Sequence, residues 1–255
     1  MNLGKSLKLI LIFLSLLFWE AAILQIRAAE PEKILYSCIF TTDTIKIDGT
    51  LDEPAWQKAE VLNFIIPITG EKPLSITEGK ILGDNKYLYI GFKAYDKDIW
   101  GYFTKRDSST YQEDVLEIFF KSDSEEKSYY NFEINALGTI YDAFIEKNKS
   151  AGGGIGQRWA RWNCKNIKIK TKISGTLNNC YDVDECWVME VRIPFTSLPT
   201  LKGRIPAPEE NWLFLLGRYD YSVYLPEGRE LSTCAHLSKI NFHYYNDWVK
   251  LKFKK

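Results

Sequence analysis

The sequence predicts an all-β protein, an antiparallel, jelly-roll-like β-sandwich of roughly ten strands. Three observations predict this class. Short segments of alternating apolar and polar residues, separated by turn residues, fill most of the 255-residue chain. Long amphipathic helices are missing from the pattern, so Rossmann and TIM-barrel architectures have no support. Aromatic residues make up 15% of the chain, and they suit the pleated surface of a sheet.

The predicted strands follow one another along the chain with turn residues between them. A short helix is predicted over 53–60, with Asp52 as its N-cap and Pro54 in its first turn. The predicted strand ranges are 44–48, 61–66, 75–83, 87–95, 114–121, 129–135, 139–146, 165–173, 187–193, 212–221 and 247–253.

Period-two alternation places polar side chains on one face of several strands. Glu117 and Glu133 each alternate with apolar neighbours. A half-solvated antiparallel sheet produces such a pattern, and planar donors and acceptors also suit recognition of vicinal hydroxyl groups. We expect ion pairs for most of these residues, such as Glu133 or Glu190 with Arg192 or Arg218, and hydroxyl contacts for one or two.

The N-terminus has the features of an export signal. Positive charge at Lys5 and Lys8 precedes an apolar run over 9–19, and small residues follow. We therefore predict a signal peptide over 1–29 and a single domain over 30–255, in a secreted, periplasmic or cell-surface protein. An uncleaved segment acting as a membrane anchor is the alternative.

The charge and the cysteine content argue against nucleic-acid binding and against a zinc site. The formal net charge is +0, and there is no basic stripe of the kind that binds nucleic acid. Five cysteines allow disulfides in an exported protein, with at least one thiol left over. Cys180 and Cys186 flank a short acidic turn and are the predicted pair. The cysteines lack the spacing of a zinc site.

Three segments carry a resemblance to a known family. The first is IDGTLDEPAW over 47–56. The second is QEDVLEIF over 112–119, followed by YNFEIN over 130–135 and GTIYD over 138–142. The third is WVMEVRIP over 187–194. In order and spacing they resemble the family 9 carbohydrate-binding modules and their free-standing relatives, over essentially the whole mature chain.

The resemblance implies a β-sandwich in which two aromatic side chains clamp a sugar at a chain end. Tyr111 and Phe242 stand at the implied clamp positions, and Glu117 matches the Glu of the acidic strand motif. Glu133 replaces an Arg of those members, which favours a different sugar or the loss of binding. Asn135 shares the polar face of Glu133 and is a further candidate ligand-binding residue.

A glycine-rich loop over 150–156 is followed by two tryptophans. Trp159 or Trp162 at the base of this loop could complete a sugar platform, and Trp159 is the candidate. The alternative is a flexible loop with one Trp anchoring the next strand. It is not a phosphate loop, because the Lys-Ser/Thr pair and a following helix are missing.

The predicted function is non-catalytic binding of a polysaccharide or oligosaccharide chain end, in association with glycoside hydrolases. The alternatives are a secreted glycoside hydrolase and a structural cell-envelope sandwich. A hydrolase would use two carboxyl groups placed across a glycosidic bond. Carboxyl candidates for that role are Glu113, Asp114, Glu117, Glu133 and Asp142.

The resemblance also implies structural calcium ions. Oxygen ligands could come from Asp48, Asp52, Asp123 and Asp142. Haem binding is disfavoured, because axial ligands would have to come from Met189 and 2 His residues.

Overall fold

Strands dominate the computed structural model, which describes residues 34–122, 125–145 and 162–255. Within these ranges the strands are β1 (Leu35–Phe40), β2 (Leu62–Asn63), β3 (Thr77–Gly83), β4 (Tyr87–Tyr95), β5 (Val115–Lys121), β6 (Tyr129–Asn135), β7 (Ile140–Ile145), β8 (Lys168–Ser174), β9 (Cys186–Pro194), β10 (Asn211–Tyr221), β11 (Arg229–Thr233) and β12 (Val249–Lys254). One α-helix, α1 (Pro54–Lys58), accompanies them, with 3-10 helices at Thr110–Gln112, Phe195–Ser197, Pro199–Leu201 and Tyr245–Asp247. The predicted signal peptide and the boundary after residue 29 lie outside the described residues.

The strands form one curled, mixed sheet in the order β7-β6-β5-β10-β12-β1-β3-β4-β9-β8. β11 pairs with β10, and β2 pairs with β3. β1 runs parallel to both β12 and β3, and the other strand pairs are antiparallel. The predicted all-β class is confirmed, and β1 adds two parallel pairings to the expected antiparallel pattern. The described residues contain no helix with the length and apolar character of a membrane span.

The curled sheet folds its two halves against each other, as a sandwich does. Leu216 of β10 packs on β3 so closely that a Cβ at Gly79 would lie 2.7 Å from Leu216 Cδ1. Arg218, also on β10, donates to the Thr77 hydroxyl and to the Tyr95 carbonyl, at 3.1 and 2.8 Å. The even-numbered face of β10 therefore lies in the interior.

Both faces of β5 and β6 are buried. Every residue of β5 and β6 is enclosed, including the polar ones. The expectation of a half-solvated sheet is therefore wrong for these strands. A segment ahead of β12 covers the face of Glu117, with the Phe242 ring lying over Gly217. Because Gly217 has no side chain, the Phe242 ring can pack directly against the sheet at this position.

Three local predictions differ from the structure. Residues 44–48 form no strand, whereas β1 and β11 were not predicted. β1 lacks a clean alternation, and β11 is a five-residue edge strand of mostly polar residues, so neither shows the expected pattern. The helix N-cap is Glu53 rather than Asp52, and the Glu53 side chain instead accepts a hydrogen bond from Lys46 N at 2.8 Å.

Within the described residues, the predicted ion pair of Glu190 with Arg192 or Arg218 is not formed. Glu190 instead accepts hydrogen bonds from the backbone N–H groups of Asp48 and Gly49, at 2.9 and 2.7 Å, and from Trp56 Nε1. A buried carboxylate thus fixes the IDGTLDEPAW segment against β9. The Arg192 guanidinium lies 4.3 Å from the centroid of the Tyr87 ring.

The predicted disulfide between Cys180 and Cys186 is also absent, since all five cysteines are free thiols in this structure. Cys186 begins β9, where its side chain is buried in the sheet, whereas Cys180 lies partly exposed in the preceding loop.

Replacing Gly217 with Ala should lower the free energy of unfolding by about 1–3 kcal/mol, the range for overpacking. The new Cβ would lie 2.7 Å from Phe242 Cε2 and would displace the covering segment. Urea denaturation measures the change. Gly101→Ala is the matched control, because its Cβ would meet nothing nearer than 3.4 Å and should change stability little. Equal stabilities of the Gly217→Ala and Gly101→Ala proteins would contradict this packing.

Candidate functional site

A small cleft lies beside Tyr111, at the end of the β5–β6 half of the sheet. Its volume is only about 30 Å³, enough for one hydroxyl group rather than a whole sugar ring. A ligand would therefore rest on the rim and place one polar group inside. The lining residues are Asp107, Ser108, Ser109, Tyr111, Glu133 and Tyr141.

Tyr111 belongs to the 3-10 helix Thr110–Gln112, just before β5. Its side chain is 44% exposed. Tyr221 Oη donates to the Tyr111 carbonyl at 2.9 Å, and Gln112 Nε2 donates to Tyr111 Oη at 3.4 Å. The backbone of the helix is thus tied to β10, and an accessible aromatic ring stands at the rim of the cleft.

Glu117 and Glu133 face each other directly across β5 and β6. They are only 4% and 8% exposed. Burial, and then the charge of Glu133, raise the pKa of Glu117 well above its usual value. The raised pKa favours the protonated, uncharged form of Glu117. Thr110 Oγ1 donates to Glu133 at 3.5 Å.

Two residues that the sequence analysis did not single out, Tyr219 and Arg229, extend this site. Burial, followed by the charges of Glu117 and Glu133, raises the pKa of Tyr219, so this phenol stays neutral. The Arg229 guanidinium lies 5.8 Å from the ring centroids of both Tyr219 and Tyr221. Arg229 of β11 therefore lies beside the site, whereas the resemblance implies an arginine at the position that Glu133 occupies.

The amide of Asn135 is committed to the protein itself. Its Nδ2 donates to the Phe103 carbonyl at 2.8 Å and to Glu113 Oε1 at 2.5 Å. Its Oδ1 accepts from Leu137 N and Thr139 N, at 3.1 and 2.8 Å. Asn135 thus shapes the turn between β6 and β7, and its predicted contact with a ligand is corrected to a structural role.

Phe242 also has a structural role, and its predicted place in a clamp is wrong in this structure. The side chain is 3% exposed and packs edge-on against Tyr219 at 5.3 Å and Phe119 at 6.5 Å. Trp248 Nε1 donates to the Phe242 carbonyl at 2.7 Å. A ring enclosed in this way closes the interior and presents no face to a sugar. Trp159, the remaining candidate, lies outside the described residues.

A second group of acidic residues surrounds Arg218. The carboxylates of Asp96, Asp114 and Asp220 offer oxygens within 4.8 Å of one another, and all three are buried. Arg218 Nη2 contacts Asp96 at 2.7 Å and Asp220 at 3.1 Å, although neither Asp220 oxygen accepts a hydrogen bond. Burial raises the pKa of Asp96 to about 7. One guanidinium thus pairs with two of these three carboxylates, Asp96 and Asp220.

The aspartates predicted as metal ligands are not brought together by the structure. Asp48 pairs with Lys46 at 2.8 Å, and Asp142 pairs with Arg106 at 2.6 Å. Asp123 lies outside the described residues. Among those that are described, the Asp96, Asp114 and Asp220 group alone has the geometry of a metal site.

Comparisons with known proteins agree with this architecture. The chain is 24% identical, over 62% of its length, to the exoglucanase XynX of Acetivibrio thermocellus. The chain spans only 12% of that protein. Two structures of a carbohydrate binding module family 9 from Caldicellulosiruptor kristjanssonii, in complex with cellotriose and with glucose, have TM-scores of 0.58 and 0.55 to this fold. The cellotriose complex is 15% identical to the chain, and the match covers 87% of this chain and 94% of that structure. The glucose complex is 16% identical, and the match covers 86% of this chain and 95% of that structure.

The family model for the "Carbohydrate family 9 binding domain-like" group matches residues 47–208, which is more than half of the chain. This range contains the three segments that carry the resemblance, together with Tyr111, Glu117 and Glu133. The chain is a member of the carbohydrate family 9 binding domain-like family.

Proposed function

We propose that this protein binds a carbohydrate without cleaving it, and that the sugar rests on Tyr111 at the rim of the small cleft. The observation that carries the proposal is the exposed Tyr111 ring beside the buried, facing pair of Glu117 and Glu133. The apolar C–H face of a sugar packs on an aromatic ring, while its hydroxyl groups need polar partners. Family membership and the sugar complexes of the Caldicellulosiruptor module support the same function.

The arrangement of the carboxyl groups supports binding rather than hydrolysis. A glycosidase needs a carboxyl of raised pKa at the bond that it cleaves, facing a second carboxylate. Glu117 has the raised pKa, but it is enclosed and does not line the cleft. Release of reducing ends from xylan, cellulose or mannan, abolished in Glu117→Gln or Glu133→Gln, would support the hydrolase alternative.

The setting that we propose is extracellular, beside polysaccharide-degrading enzymes. The chain matches one small part of the exoglucanase XynX, which is a much longer protein. The predicted export signal suits the same location. A glycan array on the protein tests the function directly. No binding to any glycan by the folded protein would favour the structural cell-envelope alternative.

We also propose that Asp96, Asp114 and Asp220 hold a structural calcium ion. Calcium favours carboxylate and carbonyl oxygens. The Asp220 oxygens are buried without a hydrogen bond, and one Arg218 guanidinium offsets only part of the charge of three carboxylates. Bound calcium would supply the missing positive charge and join the ends of β4, β5 and β10.

Tyr111→Ala should weaken binding of cellotriose, or of the best glycan on the array, at least about tenfold, because the stacking face is lost. Isothermal titration calorimetry measures the change. Tyr111→Phe keeps the ring and should bind nearly as well as the wild type. Tyr181→Ala is the control, since that side chain is 95% exposed and lies outside the cleft. Unchanged affinity in Tyr111→Ala would rule out the stacking role.

Glu117→Gln should stabilise the protein above pH 5, and increasingly so as the pH rises. Because the folded-state pKa of Glu117 is raised, the folded protein binds more protons than the unfolded chain above the ordinary pKa of 4.5. The free energy of unfolding of the wild type therefore falls as the pH rises from 4.5 towards the folded-state pKa. Glu117→Gln has no carboxyl group at this position, so its stability does not fall for this reason. Thermal melts should show a Tm higher by about 2–4 °C at pH 8 for each 1 kcal/mol recovered. A difference in Tm that does not change with pH would contradict this account.

Calcium should raise the Tm of the wild type by several degrees over protein treated with a chelator. Calcium at about 100 times its Kd would add about 2.7 kcal/mol to the free energy of unfolding. The Asp220→Asn protein should lose most of this shift, whatever its own basal Tm. Differential scanning calorimetry with and without calcium measures both. Equal shifts in the two proteins would place calcium elsewhere, and no shift in the wild type would refute the site.

A further inference from the structure

A second and much larger cavity adjoins the cleft of Tyr111. Its volume is about 310 Å³, within the range of pockets that hold small molecules. The 3-10 helix Thr110–Gln112 contributes to both, since Tyr111 lines the cleft and Gln112 lines the larger cavity. Aromatic and apolar residues form much of its wall, including Trp100, Tyr102, Tyr221 and Val223.

Trp100 and Tyr102 form a platform at this cavity. Their ring centroids are 6.1 Å apart, and the planes differ by 31°. Tyr102 is 62% exposed, which is unusual for a large aromatic side chain that only fills a fold. The half-buried Trp100 ring and the exposed Tyr102 ring both line this cavity.

Buried carboxylates hold the platform rigid from below. Asp114 accepts hydrogen bonds from Trp100 N at 2.6 Å and from Tyr221 N at 2.7 Å. Trp100 Nε1 donates to Asp98 Oδ2 at 3.1 Å, and Tyr102 N donates to Glu113 Oε2. The Trp100 indole and the backbone of Tyr102 are therefore held in place before any ligand arrives, which lowers the entropy lost on binding.

The same bonds decide what the cavity can recognise. The carboxylates of Asp98, Glu113 and Asp114 are engaged with the protein, so the polar groups left at the wall include the exposed Gln112 amide and the Tyr102 hydroxyl. A surface of this kind suits stacking on the C–H face of a sugar with few hydroxyl contacts. It adds affinity and discriminates little between sugars.

We propose that this cavity is a second carbohydrate subsite, in which Trp100 and Tyr102 stack on a sugar unit of the glycan whose end rests on Tyr111. The inference rests on the proposed function and extends it from one sugar to a chain. The two sites share a wall, because Tyr221 lines the cavity and its Oη bonds the Tyr111 carbonyl at 2.9 Å. A chain crossing the helix would engage both sites, and the second contact would form at a high effective concentration.

The test is calorimetry on the full chain with glucose, cellotriose and cellohexaose. The variants are Trp100→Ala/Tyr102→Ala, Tyr102→Ala alone, and Tyr111→Ala. The platform variants should bind cellohexaose about tenfold more weakly than the wild type, and they should bind glucose equally well. Tyr111→Ala should weaken both ligands. Tyr102→Ala changes only an exposed ring, so it keeps the test valid if the double variant does not fold. Tyr181→Ala is the matched aromatic control.

Equal cellohexaose affinity in the wild type and both platform variants would overturn the second subsite while leaving the Tyr111 site intact. Loss of affinity in the platform variants that is the same for glucose and cellohexaose would also overturn it. If the wild type bound none of these sugars and no glycan on the array, both the subsite and the proposed function would fail. A wild-type dimer that dissociates in the platform variants, detected by size-exclusion chromatography, would make the platform an interface between copies and refute the subsite.

Discussion

Buried carboxylates that accept hydrogen bonds from backbone N–H groups hold the irregular parts of this protein in place. Glu190 fixes the turn at 48–49 in this way, and Asp114 binds both Trp100 and Tyr221. A hydrogen bond to a charged group contributes about 1.5–3 kcal/mol, more than a neutral one. One side chain thus joins two segments that are distant in sequence. The loops that carry the exposed aromatic rings depend on these bonds, and so does the shape of both cavities.

The sequence predicts the direction of the polar side chains better than their surroundings. Alternation correctly places Glu117 and Glu133 on one face of neighbouring strands, because the period of a strand is fixed by its backbone. The same alternation suggests that this face meets solvent. Whether a face is solvated depends on what covers it. Here Phe242 and its neighbours cover the face, because the missing side chain at Gly217 lets the Phe242 ring lie on the sheet. That contact joins distant segments and leaves no local pattern.

The roles of Arg229 and Asn135 also depend on contacts that the local sequence pattern does not show. β11 is a short polar edge strand, so it carries no apolar alternation, and Arg229 at its start was not recognised as part of the site. Alternation places Asn135 on the same face as Glu133, but its position at the end of β6 gives it four partners within the protein. The family motifs identified the position of Tyr111, which local periodicity alone would not have distinguished from a packing residue.

The place of β1 in the sheet affects the order in which the protein can fold. β1 lies between β12 and β3, and so it links the two halves of the sheet. Its partner β12 is the last of the described strands, and Leu35 pairs with Lys250, which is far from it in sequence. The connection between the halves therefore cannot form during synthesis until β12 has left the ribosome. Such distant pairing makes folding slow, and the two halves of the sheet stay unconnected until it forms.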